Sequence, residues 1–471
     1  MLQNKLIHFL LIVIFAFVCC GLVTIFPDVV SLTPVQTILF FIFIVGALCW
    51  VFEPIPQYAT SLFIIGSLTF LISDSGFSPL RAFFNEHDQS SMLSYKSIFN
   101  AFSAPVIILF LGGFALAIAT TKYHIDTKLA KILLKPFGNR PSLVMLGLMT
   151  ITALLAMFMS NTATTVMMLA AITPVLSVVD KNDPGLKGLI LGIPFAANIG
   201  GVGTPIGTPP NAIALSYVEG EASISFLQWM SWGMPVAIIG VLATWLILLW
   251  MFPFKSEKIE VKFAEDGEKK SWKNVVVAVT FALTVILWLT EKLHGINSYS
   301  IALFPIIVFL MTRVLVAEDI KHMNWDVIWL VAGGIAIGDA LSATGLAKVF
   351  ANCIDYSQYS PMVVILLISF LGWVVSNFIS STSTANLMIP ISVALLHNVD
   401  LSQFSMSTAI FTVAISFSFA MSLPISTPPN ALAYATGLIK GKDMFKAGFT
   451  IGVMCLLLGF ATFEIISRIQ Q

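Results

Sequence analysis

Apolar residues run through this chain in blocks long enough to cross a bilayer, and polar residues gather in the short stretches between them. At roughly 20 apolar residues per crossing, the pattern predicts spans near 6–27, 35–52, 58–73, 102–121, 188–218, 229–252, 274–290, 298–315, 325–343, 407–438 and 447–467. Two further apolar stretches, 142–178 and 361–397, are too long for one crossing. Each is broken in its middle by a polar cluster, Ser160-Asn161-Thr162 and Ser380-Ser381-Thr382. Each stretch is either two complete spans joined by a polar loop, or a re-entrant hairpin with its tip at mid-membrane. Irregular backbone at that depth is tolerated only where protein or a cavity satisfies it, and the polar tips favour hairpins. The expected fold class is an all-α polytopic membrane protein.

Composition agrees. The chain of 471 residues is 58% hydrophobic and only 10% charged, with a mean hydropathy of +0.94, whereas a soluble domain carries about 25% charged residues. The formal net charge is zero, and no basic stripe points to nucleic acid. The first apolar run follows Lys5, is longer than a secretory signal core and has no small-x-small cleavage site, so it reads as a retained span. Cys19, Cys20, Cys49, Cys353 and Cys455 lie in or beside apolar runs without ligand spacing and read as small core residues. The six histidines fall at span ends and in loops. No Ser/His, paired-Asp or metal constellation suggests an enzyme.

Charge sets the orientation. With the N-terminus in the cytoplasm and both long stretches as hairpins, only Arg81, Lys96, Lys292, Lys348 and Arg468 of the 24 Lys and Arg residues fall outside. Such a positive-inside bias fixes the orientation. It does not separate hairpins from paired spans, because an even number of crossings preserves parity. The segment 122–140 reads as an amphipathic helix on the inner surface, and 255–273 reads as a solvated cytoplasmic linker.

Three landmarks recur in order. Val106 to Gly113 resembles Val327 to Gly334, an offset of 221; Ser160 to Thr164 matches Ser380 to Thr384, an offset of 220; Pro205 to Ala212 matches Pro424 to Ala431, an offset of 219. The second Gly-Gly span is an odd number of crossings after the first, so the two halves are inverted. Inverted repeats with interrupted helices at matching places are the sequence pattern of an alternating-access transporter.

The interruptions carry the chemistry. Two adjacent prolines, preceded in the first copy by Gly200, Gly201, Gly203 and Gly207, should unwind a helix at mid-membrane. Its freed carbonyls suit a hard cation, and the amides opening the next half-helix suit an anion. Asn161 offers a carbonyl to a cation and an amide to a carboxylate, while Thr162 and Thr382 offer hydroxyls. Within the spans the acids are few, Asp339 and Glu464, and no Lys, Arg or His lies at the expected binding depth. A proton-coupled carrier usually needs an intramembrane titratable group. Bound sodium ions together with helix N-termini are therefore the expected counter-charge for a dianion.

At these motifs the chain resembles the divalent anion/sodium symporter family over nearly its whole length. The resemblance implies eleven spans and two hairpins, a scaffold that forms a homodimer in the bacterial inner membrane, and a transport domain that slides like an elevator. It divides the chain into N-terminal scaffold helices 1–100, a first repeat 101–252 with an unwound helix at 200–211, a linker 253–273, and scaffold helices plus second repeat in 274–471, with an unwound helix at 420–430. It implies a first sodium site from Asn161, Gly207 and the backbone near Ala156 and Ser160. A second would use Ser381, Ser426 and the backbone near Ser376 and Ile379. Substrate carboxylates would meet Asn161, Thr162, Thr208 and Pro209 from one half, and Ser381, Thr382, Thr427 and Pro428 from the other. The chain departs from the family at Ser381, where asparagine is usual. C4-dicarboxylates such as succinate, malate and fumarate are the expected cargo. Sulfate or another oxyanion, citrate, or dicarboxylate exchange are the alternatives on the same fold, and an anion channel is the alternative of a different class.

Overall fold

The computed structural model describes residues 2–26, 31–88, 92–178, 183–218, 223–259, 271–352, 359–397, 399 and 404–470. Residues 260–270 of the expected linker, and Cys353, lie outside them. The described residues form an all-α protein.

In chain order the principal helices are α1 (Leu2–Ile25), α2 (Pro34–Phe52), α3 (Gln57–Ile72), α4 (Pro105–Lys122), α5 (Pro141–Ala156), α6 (Asn161–Val178), α7 (Gly185–Gly201), α8 (Pro209–Leu215) and α9 (Phe226–Met251). They continue with α10 (Trp272–Leu289), α11 (Leu303–Met311), α12 (Trp325–Ala343), α13 (Pro361–Phe378), α14 (Ser381–Leu396), α15 (Met406–Ser418), α16 (Pro428–Ala435) and α17 (Gly441–Gln470). Among the described residues, eight helices are long and apolar enough to cross a membrane. The remaining expected spans are shorter, such as α3, or are interrupted.

Prolines mark where many of these helices begin. Pro34, Pro105, Pro141, Pro209, Pro361 and Pro428 open α2, α4, α5, α8, α13 and α16. At that position the missing N–H is one the helix leaves unpaired anyway. Thr33 adds a reciprocal cap to α2: its hydroxyl accepts from Gln36 N at 3.3 Å while Gln36 Oε1 accepts from Thr33 N at 3.1 Å.

Helices α1, α2, α3 and α12 pack in succession, and α4 packs on α11 and α10. Small residues set the close contacts: a Cβ added at Gly112 would stand 2.4 Å from the Ala302 carbonyl oxygen. The other group holds two units of like plan. In each, a helix–break–helix hairpin (α5–α6, α13–α14) precedes a helix that is itself interrupted (α7–α8, α15–α16). The short helices cross over. Helix α8 packs on α14 and α15 of the second unit, and α16 packs on α6 and α7 of the first.

Asp183 ties the start of α7 to the chain leaving α9. Its carboxylate accepts from Gly185 N at 2.8 Å, from Ser256 N at 2.9 Å and from the Ser256 hydroxyl at 2.5 Å, and Lys255 N donates to both oxygens at 3.1 Å. Burial pushes this acid up, but the hydrogen bonds from Ser256, Lys255 and Gly185 outweigh it and hold the carboxyl below the ordinary aspartate value of 3.8. A depressed folded-state pKa stabilises the fold above the unfolded value and ceases to do so as pH falls through the folded one. Replacing Asp183 with Asn should therefore cost about 1–3 kcal/mol at neutral pH. In detergent, the gap in unfolding midpoint between the two proteins should close as pH is taken below the wild-type carboxyl's depressed pKa.

Candidate functional site

The four helix breaks meet at one cavity of about 770 Å³. All eight residues expected to contact substrate line it: Asn161, Thr162, Thr208, Pro209, Ser381, Thr382, Thr427 and Pro428. Away from the breaks the lining follows Phe110, Gly113, Phe114 and Ala117 along α4 to Thr121 and Lys122, where His322, Asn324 and Asp326 join it. Lys122 is nine residues beyond Gly113, about 14 Å along a helix at 1.5 Å per residue. Its ammonium is engaged, 2.5 Å from an Asp319 carboxylate oxygen and 3.1 Å from the Val314 carbonyl. Burial pushes the Asp319 acid up, but Lys122 and the Val316 N–H hold it below its ordinary value.

Each interrupted helix is stitched by an asparagine. Asn211 donates through its amide to the carbonyls of Gly201 (3.0 Å) and Thr204 (2.8 Å), and Asn430 donates to those of Met421 (2.9 Å) and Leu423 (3.1 Å). A tryptophan indole takes one more carbonyl in each loop: Trp229 on Val202 at 3.0 Å, Trp373 on Phe419 at 3.1 Å. Each loop is also pinned to the hairpin of its own unit just before that hairpin's tip. The Thr204 hydroxyl donates to the Met157 carbonyl, and the Ser426 hydroxyl donates to the Asn377 carbonyl at 2.9 Å. Carbonyls freed by unwinding are thereby paired by side chains, as burial demands.

The two halves differ at their tips. In the amide orientation that satisfies both groups, Asn161 donates to the Ala197 carbonyl at 3.3 Å and the Gly207 carbonyl at 3.2 Å. Gly201 and Gly207 let the two strands of the loop touch: a Cβ on Gly207 would lie 2.3 Å from the Gly201 carbonyl oxygen. In the second half Ser380 caps α14, accepting from Ser383 N at 3.2 Å, and Gln57 Nε2 reaches its hydroxyl at 3.3 Å. Ser381 lines the cavity but makes no side-chain bond to described residues.

The residues expected around sodium are placed unequally. Asn161, Ser160 and Gly207 come together at the cavity, with Ala156 fully buried behind them at the end of α5. Of the second set, Ser381 lines the cavity. Ser376, Ile379 and Ser426 are buried away from it, Ser376 with an unpartnered hydroxyl. Two residues escaped the sequence reading. Asn377 takes the Ser422 N–H on its side-chain oxygen at 3.0 Å, and Asn198 lines the cavity and reaches across to the second half. Their only signal was an isolated amide in an otherwise apolar helix, close to a break.

An all-helical chain with paired hairpins and paired interrupted helices around one central cavity belongs to the class of membrane transporters. The chain belongs to the citrate transporter family (CitMHS), which matches residues 47–416. It is 32% identical over 419 residues to an uncharacterized transporter of Schizosaccharomyces pombe, which covers 85% of this chain and 46% of that protein. The chain thus spans about half the length of the yeast relative. It is 30% identical over 447 residues to the sodium-dependent dicarboxylate transporter SdcS of Staphylococcus aureus, covering 87% of this chain and 82% of that one. The fold is similar to that of the YdaH transporter of Alcanivorax borkumensis, with a TM-score of 0.57 at 10% identity over 89% of this chain and 98% of that one.

The glycine contact yields a test. Gly207→Ala forces backbone against backbone and should cost about 1–3 kcal/mol. Ser426→Ala, at the matching place in the second loop, loses two hydrogen bonds, to the Asn377 carbonyl and from the Leu423 N–H, at about 1 kcal/mol each. Thermal unfolding in detergent should place both variants below wild type. A Gly207→Ala protein as stable as wild type would mean that the first loop is not close-packed.

Proposed function

We propose that the protein is a sodium-coupled secondary transporter that imports small dianions, C4-dicarboxylates first among them, by alternating access. The observation that carries this reading is the convergence on one cavity of four helix breaks from two like units, where the described basic side chains of the lining, Lys122 and His322, stand at the far end from the breaks. Helix N-termini and hydroxyls at Thr162, Thr208, Thr382 and Thr427 offer donors to two carboxylates. The Asn161–Gly207 region offers oxygens to a sodium ion, whose charge offsets part of the dianion's. The dicarboxylate transporter among the relatives supports both cargo and ion. With the N-terminus in the cytoplasm of a bacterial inner membrane, the end of the cavity marked by Lys122 and His322 faces inward. An elevator movement and a homodimeric scaffold belong to the same proposal. Citrate is the second reading, favoured by the description of the matching family.

Labelled succinate uptake into proteoliposomes tests it. An inward sodium gradient should drive accumulation that potassium does not support, and accumulation unaffected by the swap would reject sodium coupling. Excess citrate added as competitor separates the two cargoes. Asn161→Ala should abolish sodium-stimulated uptake while the protein still elutes as a single folded species. Ser381→Asn should steepen the sodium dependence, and unchanged kinetics would remove Ser381 from the ion site.

A further inference from the structure

Thr208 and Thr427 stand at matching places in the two units, each extended and each immediately before a proline that opens a short helix. Their hydroxyls are wired differently. Thr427 Oγ1 accepts from the Asn430 backbone N–H at 3.4 Å and from Asn198 Nδ2 at 3.1 Å. A hydroxyl has two lone pairs and one proton, so both lone pairs are taken and the proton alone remains to be used. No described residue accepts it, and Thr427 lines the cavity. The second hydrogen on Asn198 Nδ2 goes to Asn430 Oδ1 at 3.3 Å, which holds the amide as a donor toward Thr427.

The mirror contact is not made. The repeat sets Ser418 opposite Asn198, an offset of 220. Ser418 is shorter, and its buried hydroxyl is unpartnered. The Thr208 hydroxyl makes no hydrogen bond to a described residue and is open to donate or accept. Asparagine therefore stands at both places in the first unit, Asn161 and Asn198, and serine at both in the second, Ser381 and Ser418.

We infer that Asn198 is a positioning residue that makes Thr427 an obligate hydrogen-bond donor to anionic cargo, in the half where Ser381 lacks the amide of Asn161. The inference rests on the dianion reading proposed above. It assigns the Thr427 end of the site to a carboxylate rather than to a cation, because no lone pair of that hydroxyl is left for a metal ion. An amide carried by one unit thus completes the anion contact of the other.

The test is a double-mutant cycle read on succinate KM in proteoliposomes. Asn198→Ala and Thr427→Val should each raise KM about tenfold, the size expected for one hydrogen bond to a charged group, with maximal rate largely kept. In the Thr427→Val background, Asn198→Ala should add almost nothing, whereas a packing role would add its own penalty. Asn198→Asp supplies a pH signature. Its carboxyl donates to Thr427 when protonated and draws the threonine proton to itself when ionised. Its KM relative to wild type should therefore rise with pH, the wild type correcting for titration of the cargo. Size-exclusion profiles identify a variant that has lost its fold, and Asn198→Asp at low pH then carries the test. Additive penalties, an unmoved KM, or a pH-independent ratio would overturn the inference while an active wild type leaves the transport reading standing. A wild type silent toward every dianion would instead bring down the transport reading, and this inference with it.

Discussion

Breaking a helix inside a bilayer leaves backbone carbonyls and amides with no water to bind, and the architecture around the cavity follows from having to satisfy them. The Asn211 and Asn430 amides, the Trp229 and Trp373 indoles, and the hydroxyls of Thr204 and Ser426 take up loop or hairpin carbonyls that unwinding would otherwise orphan. Once these are paired, the groups still facing the cavity can be spent on cargo. The Pro-Pro-Asn motifs thus carry both steps: proline interrupts, and asparagine repairs what the interruption exposes.

The two halves repeat in plan but not in detail. The first closes its loop by backbone contact between Gly201 and Gly207 and places an asparagine at the hairpin tip. The second has Ser426 where the first has Gly207, and turns that hydroxyl onto Asn377. A hydroxyl and an amide stand where the first loop has a close approach of backbone, in addition to the asparagine and tryptophan bonds that both loops share.

Much of this was legible in the sequence. Block length and the paired offsets announced an all-helical membrane chain with two like units, because bilayer thickness and helix interruption both leave local marks. The polar tips at Ser160 and Ser380 marked helix breaks, and every residue expected at the substrate lines the cavity. What escaped was non-local. Asn198 lies 229 residues from the threonine it contacts, and neither periodicity nor motif spacing records that distance. Asn377 was hidden because its counterpart in the first unit is Met157, so the repeat itself argued against it.

The crossing of the short helices also bears on how the chain comes to be built. Helix α16 seats on α6 and α7, and α8 seats on α14 and α15. During synthesis, the first unit waits with its docking face for α16 unfilled until residues 428–435 have been made. Contacts so far apart in the chain form late and slowly. Neither unit is then a finished half that later docks with the other. The interlock leaves neither core complete until α16 has been made, and a chain truncated before α16 would lack part of both units' cores.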